Sequence, residues 1–112
     1  MVPQLELTFV SFGRAVTVNP QFLTYGNART ALCFNEQGEP FGVATVNMPD
    51  QHLNPGEVFI KDWSENEPLV QAMLAAGWIE LTGREVLSGY VAPKVARFAG
   101  DLLEYFNTHN PA

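Results

Sequence analysis

With 112 residues, 46% of them apolar, the chain can build and fill one hydrophobic core, which excludes a disordered segment. Twelve acidic side chains against six basic ones leave a formal charge of -6, so long-range repulsion disfavours nucleic acid and anionic lipid as direct partners. Cys33 is the sole cysteine, which excludes an internal disulfide and a cysteine-rich metal site.

Leu5 to Phe12 alternates, with Leu5, Leu7 and Phe9 on one face and Glu6 and Thr8 on the other, as a half-buried strand does. Gly13 punctuates, and Arg14 to Val18 reads as a second β segment. Asn19-Pro20 and Tyr25-Gly26-Asn27 carry turn chemistry. Thr30 to Phe34 and Phe41 to Val46 predict a hairpin closed by the Gly-containing stretch Asn35 to Glu39, with Pro40 at a strand start where its missing donor is harmless.

Met48 to Gly56 reads as a loop, and Asn54-Pro55-Gly56 suits a type II turn. Val58 to Trp63 reads as a strand with Val58 and Ile60 facing the core, which sends Phe59 and Trp63 to the outer face. Ser64 and Glu67 have the spacing of a capping box, Pro68 fits a first helical turn, and Leu69, Val70, Met73 and Leu74 form an apolar stripe that Gly77 is placed to cap. Glu80 to Val91 predicts two short β segments around Thr82-Gly83-Arg84 and Ser88-Gly89. Pro93 is expected to open a last helix with Val95, Phe98, Leu102, Leu103 and Phe106 on one face, and its charges would oppose the helix dipole. This order predicts one α+β domain over residues 1–112: an antiparallel twisted sheet of about five strands with both helices on one face.

The chemistry-bearing residues are few. Asp62, Glu65 and Glu67 form an acidic cluster, but carboxylates at a helix start answer the dipole, and no calcium-loop spacing accompanies them. Asp50, His52 and Arg84 would make a small pocket if the fold joined them, with His52 as a base. Cys33 lies in an apolar run and reads as a buried small hydrophobe, and Ser88 has no base beside it in sequence. His109 falls near the C-terminus, where a solvated side chain is expected. No glycine-rich phosphate loop occurs, so neither cofactor nor metal is expected. The opening Met-Val-Pro-Gln-Leu-Glu-Leu has no signal-peptide pattern and no apolar run reaches membrane-spanning length, so a cytoplasmic setting is expected. Trp63, set between Asp62 and Ser64, is either core or an exposed interface anchor.

The runs Val46 to Asp50, Glu57 to Glu67, Ala75-Ala76-Gly77, Thr82-Gly83-Arg84 and Ser88 to Val91 together resemble a family of small bacterial proteins of unassigned function. The resemblance covers about residues 30–93 and implies carriage on conjugative plasmids, prophages and other mobile elements. It lends no catalytic residue. The combined expectation is a non-catalytic protein-binding module, an inhibitor of a host defence of the anti-CRISPR or anti-restriction type. It would present Asp62, Trp63, Glu65 and Glu67 to a basic host protein or nucleic-acid-handling complex. Two other readings stay open: a small enzyme or ligand-binding domain with a pocket near His52, and an accessory protein that forms homodimers rather than remaining a monomer.

Overall fold

The computed structural model describes residues 5–63 and 66–109. Alternation in the first half makes four strands, β1 (Leu7–Ser11), β2 (Arg14–Thr24), β3 (Thr30–Glu36) and β4 (Glu39–Val43), each antiparallel to the next. Leu7 and Phe9 of β1 are buried with Val16, Val18 and Pro20 of β2, while the residues between them face outward. The β1–β2 and β3–β4 hairpins close with two-residue turns that take positive φ at each central position, as the right-handed strand twist demands: Phe12 (φ 52) with Gly13 (φ 77), and Gln37 (φ 51) with Gly38 (φ 82).

The second half supplies β5 (Glu57–Ile60), α1 (Glu67–Ala75), β6 (Ile79–Glu85), β7 (Lys94–Phe98) and α2 (Gly100–His109). The strands form a second antiparallel sheet with β7 in the centre. Residues 44–46 join the two sheets. Ala44 donates to Leu32 of β3 (2.9 Å), and on the other side Lys61 donates to Ala44 (2.8 Å) and Val46 to Phe59 (3.0 Å). One core cluster runs through both sheets and takes Leu69, Val70 and Met73 from α1 and Leu102 from α2. Helix α1 packs on β1 and β6. Helix α2 docks through Phe106, whose ring lies edge-on to Phe22 of β2 at 4.9 Å and against Phe98 of β7 at 5.2 Å.

The α+β class and antiparallel pairing agree with the sequence expectation, but the described residues hold seven strands in two sheets rather than about five in one. Two local features account for the difference. Pro20 does not turn the chain: it pairs with Phe34 inside β2, beyond Val18, where β2 has left β1 behind and keeps only β3 as a neighbour. A missing donor is tolerated in such a half-free stretch. Lys94 to Phe98 is the central strand of the second sheet rather than the start of a helix, with Val95, Ala96 and Phe98 buried. Lys94 and Arg97 therefore do not oppose a helix dipole, and Asp101 in the first turn of α2 complements it.

A third correction concerns Phe59, expected on an outer face. It is 1% exposed and pairs with Val95, which is fully buried. The loop of residues 47–56 lies over this face and is tied down by arginines. Arg29 donates to the carbonyls of Met48 (2.7 Å) and Gln51 (2.5 Å), and Arg84 to that of His52 (2.5 Å).

At its C-terminus α1 behaves as its sequence predicts. Gly77 adopts φ 72 and donates to Leu74 (3.1 Å), while Trp78 donates to Met73 (2.9 Å), the paired bonds of a Schellman cap. Its N-terminus differs. Glu67 heads the helix, and Asn66 occupies the N-cap without a side-chain capping bond. Ser64, the other half of the expected capping box, lies outside the described residues, as do Glu65 and the side chain of His109.

Candidate functional site

The acidic segment is partly neutralised where it can be described. The Asp62 carboxylate lies 2.7 Å from Lys94 Nζ across the β5–β7 pair, and this contact raises the Lys94 ammonium above its ordinary value. Trp63 is half-buried, neither core nor fully exposed, and Glu67 is exposed. Among the described residues no three His, Cys, Asp or Glu side chains gather as a metal site requires. Cys33 is half-buried, and desolvation pushes its thiol up, away from the reactive thiolate.

Arg84 does reach His52, but through the His52 backbone carbonyl. The imidazole Nε2 is bonded to Asn54 Oδ1 (2.9 Å), and Asp50 is exposed and has no hydrogen bond or ion pair among the described residues. The second Arg84 contact, 4.0 Å to Glu57, completes a clamp on the loop: Glu57 also accepts from the Asn54 amide (2.8 Å). The arrangement holds residues 52–57 in place, and it does not form a His–Asp pair.

A ligand-sized recess lies elsewhere. A groove of about 650 Å³ runs beside β4. Its lining includes Phe12, Arg14 and Tyr25, the stretch from Phe41 to Asn47 apart from Ala44, and Lys61 and Asn66. This volume is within the range of ligand-sized clefts. Its floor is rigid. Tyr25 Oη and Thr45 Oγ1 lie 2.9 Å apart, the Leu32 amide donates to Thr45 Oγ1 (3.2 Å), and Thr45 is 4% exposed. Asn66, also 4% exposed, ties two lining segments together: its Nδ2 donates to the carbonyls of Val43 (2.7 Å) and Lys61 (3.1 Å).

Phe12 is the unusual member. It is 91% exposed, yet it sits at φ 52, a conformation that costs a bulky side chain roughly 1–2 kcal/mol. Asn or Gly would satisfy the same turn without strain.

The two cations lining the groove differ. Arg14 is held bidentately by Glu36, at 2.9 and 3.4 Å, which raises the guanidinium and lowers the carboxyl. Because the folded Glu36 carboxyl is lowered, this tie contributes above the ordinary carboxylate range and is lost as pH falls through the folded value. Titration followed by NMR is expected to move the Glu36 and Arg14 side-chain signals together; independent titration would remove the tie. Lys61 has no ion pair or side-chain hydrogen bond among the described residues.

Sequence reasoning passed over Phe12, Lys61 and Asn66. The available signal was Phe12-Gly13 between two alternating runs, the place of a hairpin turn whose first residue is normally small and polar. Among the described residues no helix is long and apolar enough to cross a membrane. No family model, curated protein or solved structure matches the chain.

Proposed function

We propose that the protein is a non-catalytic protein-binding module that receives a segment of its partner in the groove beside β4. The observation that carries this reading is Phe12, a large apolar side chain presented to solvent at the groove and kept there against a backbone penalty. Such exposed aromatic anchors beside a pocket dominate interface energetics. The acidic segment fits as a flank: Lys61 and Asn66 line the groove, and the residues between them include Asp62, Trp63 and Glu65. Glu67 follows at the head of α1, so a basic surround on the partner would meet this rim. The resemblance to proteins of mobile elements makes a host nucleic-acid-handling complex, such as a defence nuclease, the first partner class to test.

The test uses Phe12→Asn, which should relieve the turn and remove the anchor in one step. The variant is expected to be more stable by about 1 kcal/mol, since Asn accepts positive φ readily. It is also expected to lose the partner that the parent captures and that a photo-crosslinking residue at position 12 labels. Undiminished capture by Phe12→Asn would overturn the groove as the contact surface. If capture instead fails only with Trp63→Ala and Glu65→Lys, the acidic rim alone is the binding surface.

A further inference from the structure

We infer that the element received by the groove is a short extended peptide segment bearing carboxylates beside apolar side chains, with Lys61 as the residue that selects the charge. This rests on the groove being a protein-binding surface and names the chemistry of its occupant. The first observation is an imbalance. The chain has twelve acidic residues and six basic ones, so carboxylates outnumber cations two to one. Arg14, Lys94 and Arg84 are paired with Glu36, Asp62 and Glu57, while Arg29 is bonded to loop carbonyls. Among the described residues Arg29, Lys61 and Arg97 have no ion pair, and of these three Lys61 lines the groove. Among those residues no carboxylate lines the groove with it.

The second observation is shape. Phe41, Gly42 and Val43 of β4 line the groove and Thr45, Val46 and Asn47 continue the lining, a stretch of at most roughly 20 Å at ~3.3 Å per residue. A recess beside β4, an edge strand of the four-stranded sheet, suits a short extended run better than a compact metabolite. Phe12, Tyr25 and Phe41 offer aromatic surface along it for the alternate apolar side chains.

The net charge of -6 does not forbid an acidic segment. At physiological salt the screening length is about 8 Å, so within the groove the local ammonium outweighs distant carboxylates. A charge-assisted hydrogen bond to Lys61, partly shielded by the walls, is the stronger kind.

Calorimetric titration of the full chain with three unlabelled, end-capped hexapeptides tests the inference. One alternates Phe or Leu with Asp or Glu, the second replaces each acid with its amide, and the third replaces each acid with Lys. The acidic peptide is expected to bind roughly 10-fold or more tighter than the amide peptide, and the Lys peptide most weakly. Lys61→Gln should erase that preference. Arg97→Gln, which changes the net charge equally on a strand outside the groove, should leave it intact. Equal binding of the acidic and amide peptides, a preference that survives Lys61→Gln, or no binding by any peptide would each overturn the proposed occupant. If Phe12→Asn still abolishes capture of the partner in those cases, the groove reading stands and only its occupant is wrong.

Discussion

Gly100→Ala is expected to lower stability by about 2–4 kcal/mol, one of the largest effects of any single methyl group in this chain. Gly100 starts α2 at φ 53, and a Cβ added there would stand 2.7 Å from the carbonyl oxygen of Gly77 and 3.6 Å from its carbon. That oxygen is backbone, fixed by the Schellman cap of α1, so it cannot swing away as the end of a side chain would. On the other side the Ala99 amide donates to Trp78 (2.7 Å), which locks the β7–α2 junction onto the same cap. The methyl therefore meets both a backbone penalty and a collision. Gly13→Ala separates the two contributions, since Gly13 has φ 77 but an added methyl there would meet nothing within 4 Å. It is expected to lose only about 1 kcal/mol. In thermal melts the Gly100→Ala midpoint should fall by roughly 10 °C or more, and the Gly13→Ala midpoint by about half of that or less. Equal losses in the two variants would show that the contact with Gly77 contributes nothing.

The same junction explains what the sequence could and could not disclose. The β3–β4 hairpin and the C-terminus of α1 were legible because their determinants are local: Gln37-Gly38 for the turn, Gly77 and Trp78 for the cap. The strand β7 was not. Val95, Phe98 and Leu102 fall at helical spacing, but β7 buries Val95 on one face and Ala96 and Phe98 on the other, so it shows no clean alternation to betray it. Only Gly100, with a conformation no helix interior adopts, marks the change from strand to helix. The fate of Phe59 was hidden for another reason. Its cover, the loop of residues 47–56, is held by Arg29 and Arg84 bonded to backbone carbonyls, and such pairings leave no complementary acid in the sequence. The groove was hidden likewise, because it forms where residues 41–47 meet Lys61 and Asn66 across the junction of two sheets.

Asn66→Asp should couple that junction to pH. Asn66 is a buried amide whose two N–H groups serve the Val43 and Lys61 carbonyls, one on each of two segments that line the groove. A carboxylate has no donor and would face both carbonyls at hydrogen-bond distance, so unfolding near neutral pH should become easier by about 3 kcal/mol or more. Asn66→Ala also orphans the two carbonyls but adds no charge, and about 2 kcal/mol is expected. The acid variant differs in its pH dependence. Burial beside two acceptors raises its carboxyl in the folded state above the unfolded value. Stability is then recovered as pH falls through the folded value, because the protonated acid can donate to one carbonyl, and it is lost again as pH rises. Urea unfolding at pH 7 and at pH 4, referenced to the parent at each pH, should show a smaller deficit at pH 4 for Asn66→Asp and no such change for Asn66→Ala. Equal deficits at both pH values would mean that the wall opens to water and hydrates the acid. The binding of an extended segment should weaken in step with the loss of the bridge, because Asn66 joins the Val43 and Lys61 carbonyls of two segments that line the groove.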